Sequence, residues 1–383
     1  MNGQTLEILR LIKQTGPITR AEIGEKLGLS AASVSNAVTK LFEKDLLISR
    51  NGVSKKGGRR PELIEFRSTA GYVAGIDLGA SWIRVAIADL MGTIVQRREY
   101  PTLAYEGGRK IISRLLSIVH ELVDSIGKEN VLAIGMACPG VCVGGRPWLT
   151  PFFPELKDIE LRACIEEAFG IPIILENDVD MAVLGEMRNG AGYGCSDIVF
   201  LNVGVGLAAG IIIDGHLLRG KNRAAGEIGF MILDPSSART EFREQGVGEL
   251  VLSGSGIVKR YRERVGGALK DTNHVDALSA DRIFVLAKDG DNAAIDAISE
   301  SKRCLSIAIC NLSATLNPER IIVGGGVGLA LMGEMDIVPF LEHHIPFVPD
   351  VVAAKLGHDA SLVGAISTAV ELVEEHLMKE RLA

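Results

Sequence analysis

Residues 19–47, TRAEIGEKLGLSAASVSNAVTKLFEKDLL, hold two helix-start signals, at Thr19 and Ser30, on either side of Gly28, and that spacing permits little except two short helices crossing at a tight turn. Thr19 followed three residues on by Glu22 forms a capping box, in which the hydroxyl takes an amide of the first turn and the carboxylate returns to the cap's own N–H. Gly28 stands where a helix end wants left-handed backbone, and Ser30 can cap the next helix. Ala21, Ile23 and Leu27 fit a buried stripe only loosely, whereas Val34, Val38 and Leu41 recur at i, i+4 and i+7. That stripe turns Ala32, Ser33, Ser35, Asn36 and Lys40 outward, a set of small and amide side chains suited to a major groove. The order is that of a helix-turn-helix; taken alone, the stretch also permits an ordinary surface pair of helices.

The adjoining segment favours DNA. Residues 50–61 read RNGVSKKGGRRP, with Asn51-Gly52 as a hairpin turn and Lys55, Lys56, Arg59 and Arg60 on a glycine-containing loop. Beside a reading helix such a loop is expected to be a wing, its arginines long enough for a narrow minor groove; a solvated linker is the alternative. Residues 1–70 hold 12 of the chain's 41 Lys and Arg but only 7 of its 48 Asp and Glu, so the net charge of −7 conceals a head of +5 on a body of −12. A polyanion is therefore expected to meet one domain only.

A chain of 383 residues that is 47% hydrophobic can bury two or three cores, and its 44 glycines imply many tight turns. No secretory leader and no apolar run of about twenty residues is present, which predicts a cytoplasmic protein without a membrane partner. Cys138, Cys142, Cys164, Cys195, Cys304 and Cys310 are scattered, and Cys138-x3-Cys142 has no second pair to complete a metal site, so reduced thiols and no metal are expected.

From Tyr72 the pattern changes. Strands over 73–79, 83–89 and 93–98 form a meander, followed by a helix over 109–126, a strand over 131–138, a helix over 159–169, a strand over 171–176 and a helix over 178–187. A second half repeats the plan, with strands over 197–203, 208–214 and 216–219, long helical segments, and a strand over 320–323 that ends in Gly324-Gly325-Gly326. The expected organisation is an α/β chain of three parts: a winged helix-turn-helix over 1–70, a first α/β lobe over 71–190 completed by a C-terminal helix over 364–383, and a second α/β lobe over 191–363. Two such lobes facing each other enclose a cleft.

Asp77-Leu-Gly-Ala-Ser-Trp-Ile-Arg84, Cys138-Pro-Gly140, Glu176-Asn-Asp178, Ala225-Gly-Glu227-Ile-Gly229 and Ile322-Val-Gly-Gly-Gly326, in this order, resemble the ROK family of repressors, open reading frames and kinases. The resemblance covers essentially the whole chain, and with the head attached it is to the family's repressors that answer to xylose or N-acetylglucosamine. It implies an actin-like (ribonuclease H-like) two-lobed sugar-kinase fold, with sugar and ATP meeting between the lobes. It assigns Asn177, Asp178, Glu227 and Glu249 to sugar hydroxyls, the last through Glu249-x3-Ser253-Gly254. In the kinases Asp178 is the general base, Mg and ATP are required, and Asp77, Gly79, Gly204, Gly206, Gly324 and Gly325 approach the nucleotide. As a bare pattern, Asp178 can also be read as a helix cap and the two glutamates as surface charges.

The departures matter equally. Val205 stands between Gly204 and Gly206 where the kinases carry a hydroxyl, and Ala208-Ala209 replace further glycine. The zinc ligands of relatives become Phe230, Thr240, Phe242 and Val247, none able to hold the ion, and Phe152 replaces an expected sugar-binding Asn. The expected function is a sugar-responsive transcriptional regulator, a repressor that binds palindromic operator DNA as a homodimer or homotetramer, takes a small sugar effector and needs no cofactor. The alternative is an ATP-dependent sugar kinase resembling glucokinase or N-acetylglucosamine kinase. A DNA-binding protein with an inert body is a third reading, disfavoured by the retained Asn177, Asp178, Glu227 and Glu249.

Overall fold

The computed structural model describes residues 3–51, 62–150, 153–233, 246–266 and 278–379. The head contains α1 (Gly3–Thr15), α2 (Arg20–Leu27) and α3 (Ala31–Glu43), then β1 (Leu47–Asn51) paired antiparallel with β2 (Glu62–Phe66). The caps are those the residues dictate. The Glu22 amide donates to Thr19 Oγ1 at 3.2 Å and the Thr19 amide to Glu22 Oε2 at 2.8 Å, Gly28 takes φ 65°, and Ser30 Oγ accepts from the Ser33 amide at 3.2 Å. α1 lies outside the expected elements, yet Thr5, Ile8, Leu9 and Ile12, spaced i, i+3, i+4 and i+7, are all buried.

The first lobe runs β3 (Tyr72–Leu78), β4 (Trp82–Asp89), β5 (Ile94–Pro101), α4 (Gly108–Ile126), β6 (Val131–Cys138), β7 (Val141–Val143), β8 (Arg146–Leu149), α5 (Leu161–Phe169), β9 (Ile173–Asn177) and α6 (Asp178–Asn189). The second runs β10 (Ile198–Val203), β11 (Leu207–Ile213), β12 (His216–Leu217), α7 (Val247–Leu252), α8 (Gly254–Val265), α9 (Ala280–Lys288), α10 (Asn292–Leu316), β13 (Arg320–Gly324), α11 (Gly326–Met332), α12 (Val338–His344) and β14 (Asp350–Ala353). The chain ends on α13 (Ala360–Lys379). The sheets have orders β5-β4-β3-β6-β9 and β12-β11-β10-β13-β14, each an antiparallel meander extended by two parallel strands. The repeat read in the sequence is thus a repeat of topology. β14 and the β7–β8 hairpin, which turns at Gly144-Gly145, were not among the expected strands.

α13 packs on α6, β6 and β3 of the first lobe. The approach to α6 is close enough that a Cβ on Gly364 would lie 1.8 Å from the Met181 carbonyl oxygen. Its far end meets the head. Leu6, Leu9 and Phe66 share one buried cluster with Leu362, Ile366, Ala369 and Val373, and Lys13 Nζ lies 2.6 Å from Glu374 Oε1. Head and first lobe therefore share a hydrophobic core rather than meeting through a bare linker.

Candidate functional site

On the head, Ala32, Ser35, Asn36 and Lys40 are exposed along one face of α3, together with Thr39, while Val34, Ala37, Val38 and Leu41 are buried behind them. Ser33 is half-buried and its amide is taken by the Ser30 cap, so it adds less to this face than its position in the pattern suggests. Lys55, Lys56, Arg59 and Arg60 lie outside the described residues.

The second site lies between the lobes. A cleft of about 730 Å³ is lined by Asn177, Asp178, Glu227 and Glu249, together with Gly79, Trp82, Arg84, Glu99, Val205, Gly206, Phe230 and His358. Asn177 caps α6: its Oδ1 accepts from the amides of Val179 at 2.7 Å and Asp180 at 3.2 Å, and its Nδ2 donates to the Gly140 carbonyl at 2.9 Å. One amide hydrogen is left for a ligand. Capping therefore falls to Asn177, and Asp178, which opens the helix, accepts the Val179 amide at 3.0 Å. Gly140 holds this floor in place; with φ 82°, any Cβ there would fall 1.8 Å from the Leu149 carbonyl oxygen.

The carboxyls crowd one another. Burial, reinforced by Asp77 and Glu227, pushes Asp178 up to about 7. Burial and then the neighbouring Glu249 do the same to Glu227, also to about 7, and burial alone raises Glu249. Asp180 is driven to about 7 by burial and by Glu176. Burial lifts Asp77 to about 6 against the pull of Arg84, whose Nη1 sits 2.9 Å away while its Nε reaches Glu99 Oε1 at 3.0 Å. Such a row of proton-holding acceptors is suited to hydroxyl donors. Beneath it, buried Glu176 takes Arg219 at 2.8 and 2.9 Å and also Arg223, tying β9 to the second lobe just before Glu227. The sequence showed Glu176 only as part of a match. Its partners are more than forty residues away, a distance no local pattern reveals.

The phosphate-side residues depart from expectation. Gly79 donates its amide to the Trp82 carbonyl at 2.9 Å and Gly204 to that of Gly206 at 3.0 Å, so two amides of the expected cradle are spent inside the protein. Gly324 and Gly325 line neither this cleft nor the second cavity, of about 710 Å³, reached by Gly204 and Gly326; their bare Cα atoms face Phe200 and Val203. Val205 lines both cavities. Of the four positions the sequence matches to the zinc ligands of relatives, Phe230 and Val247 offer only hydrocarbon, and Thr240 and Phe242 lie outside the described residues, as does Phe152. All six cysteines are free. No described helix is long and apolar enough to cross a membrane.

Against known proteins, the model of the ROK family matches residues 73–371 and that of the MarR family matches residues 1–53. A xylose repressor of Caldicellulosiruptor bescii is 28% identical over 83% of this chain and 82% of its own. A glucokinase of Halalkalibacterium halodurans is 30% identical over 76% of this chain and 93% of its own. Among solved structures, a ROK family transcriptional regulator described as a homolog of the E. coli MLC protein superposes over 98% of this chain and 97% of its own, with a TM-score of 0.81 at 22% identity. That likeness concerns the fold, and it extends through the head as well as both lobes.

Proposed function

The chain belongs to the ROK family, and from that premise we propose that it is a sugar-responsive transcriptional repressor of carbohydrate-utilisation genes, released from its operator by a sugar bound between the lobes. The observation that carries this reading is the pairing, in one chain, of an exposed reading helix with a cleft that keeps its hydroxyl-binding carboxyls but has spent phosphate-loop amides at Gly79 and Gly204. The coupling follows from linkage. A sugar that binds better to a lobe arrangement in which the heads are misplaced for DNA weakens DNA binding by the factor with which DNA weakens sugar binding. A homodimer or homotetramer fits this role, because a two-fold pair of heads reads a palindrome and one head reads too little sequence. The site of action is the cytoplasm, and neither metal nor nucleotide is needed.

One observation favours a sugar kinase: Asp178, at about 7, is well placed for a general base at neutral pH. Against it, the Asp77 carboxylate that would serve Mg and ATP is engaged by Arg84, and Val205, exposed between Gly204 and Gly206, offers hydrocarbon where the kinases carry a hydroxyl. A thermal-shift panel of monosaccharides and disaccharides, run with and without MgATP, separates the readings. The regulator gains stability from a sugar alone; a kinase gains from MgATP as well and forms ADP.

A further inference from the structure

The wall around the carboxyls carries information about the effector's size and charge. Along β4, Ile83, Val85 and Ile87 enter the core with α4, so Trp82 and Arg84 project from the opposite face. Arg84 lines the cleft while reaching back to buried Asp77, and Trp82, also in the lining, lies two residues away along the strand, about 7 Å. Trp82 is 43% exposed, and the same cleft is lined by Val205 at 59% and Phe230 at 39%. Single exposed apolar residues are ordinary, but three converging on one cleft form a contact surface. The charges argue against an anion there: Asp178, Glu227, Glu249 and Glu99 line the cleft, and among the described residues the one arginine lining it, Arg84, is already shared between Asp77 and Glu99. Space points the same way. A hexose of roughly a dozen non-hydrogen atoms, each displacing about half the ~30 Å³ of a liquid water, fills about a quarter of the cleft of about 730 Å³.

We propose that the effector is an uncharged saccharide of at least two rings. The first ring gives its hydroxyl protons to Asp178, Glu227 and Glu249 and accepts the remaining amide N–H of Asn177, and the next lays its C–H face on the Trp82 indole. A sugar ring's faces are apolar and its rim polar, which matches an aromatic wall beside an acidic floor. This inference rests on the sugar-binding reading of the cleft.

Calorimetric titration of the full chain with glucose, xylose and N-acetylglucosamine, with cellobiose, xylobiose, chitobiose and maltose, and with glucose 6-phosphate tests it. One neutral disaccharide should bind at least about tenfold more tightly than its own monosaccharide. That ratio should collapse to below about twofold in Trp82→Ala and survive in Trp82→Phe, which retains an aromatic face and controls for loss of fold. A monosaccharide matching every disaccharide, a ratio indifferent to Trp82→Ala, or tighter binding of glucose 6-phosphate than of glucose overturns the two-ring effector and leaves sugar sensing intact. Binding of none of these sugars removes both.

Discussion

Replacing Asp178 by Asn should make the sugar-free protein more stable while making it less responsive. The carboxyl is half-buried at the head of α6 and has been moved from 3.8 to about 7 by burial, Asp77 and Glu227. Ionising such a group in the folded state costs at most about 4 kcal/mol, and cleft water on its open side screens this to about 1–2 kcal/mol. Its folded-state value is raised, so the folded protein holds the proton more tightly and the penalty is absent near pH 4, grows as pH rises, and is complete above about 7. Asp178→Asn should therefore raise the melting temperature at pH 8 by about 1–3 °C, for a 383-residue chain melting as one unit, and leave it nearly unchanged at pH 4. The same change removes a charge-assisted acceptor of a sugar hydroxyl, about 1.5–3 kcal/mol, or roughly ten- to a hundredfold in affinity. Differential scanning fluorimetry across pH, paired with sugar-driven release from DNA, reads both effects. A stability change of the same size at pH 4 and pH 8, or a melting temperature that falls at pH 8, would refute the picture of a carboxyl strained for the sake of its ligand.

The double substitution Arg59→Ala with Arg60→Ala should weaken binding to any DNA sequence and flatten the salt dependence by about 0.9 for each phosphate no longer neutralised, with reduced A·T preference where one of them enters the minor groove; unchanged affinity in a gel-shift titration rules out the wing. Elemental analysis of chelator-free protein should find no stoichiometric zinc, given Phe230, Thr240, Phe242 and Val247; one zinc per chain would reject that assignment of the loop. Leu9→Ala, in the core shared by α1 and α13, should cost about 2–5 kcal/mol and lower the melting of head and body together, whereas two separate transitions with only the head shifted would show that the shared core does not couple them.

Features encoded locally were legible in the sequence. The capping box at Thr19 and Glu22, the left-handed Gly28 and the Ser30 cap are each decided within a few residues, and all appear in the fold as expected. The apolar runs of β3, β4 and β6 are equally self-contained. α1 carries a stripe at Thr5, Ile8, Leu9 and Ile12, and the Gly144-Gly145 pair marks the β7–β8 hairpin; both signals are local, although neither element was expected. The remainder was out of reach because it depends on distant partners. Asn177 sits where a sugar ligand was expected, but capping α6 and holding Gly140 consume most of its capacity. Gly79 and Gly204 have the composition of phosphate loops, and only the fold reveals that their amides already have carbonyl partners. The Glu176 cluster with Arg219 and Arg223, and the core joining head to α13, arise from chain segments that composition cannot bring together.

In the proposed mechanism one molecule trades DNA for sugar. The direct measurement is fluorescence anisotropy of a labelled palindromic duplex, selected by the protein itself from a randomised pool, titrated with the full chain at fixed salt in the absence and presence of each sugar that stabilises it, while ADP is followed in a parallel MgATP reaction. The expected result is that a sugar weakens operator binding about 5- to 150-fold, that saturating operator weakens the same sugar by the same factor, and that no ADP accumulates. Operator affinity indifferent to every stabilising sugar, or sugar-dependent ADP formation lost in Asp178→Asn, would contradict it.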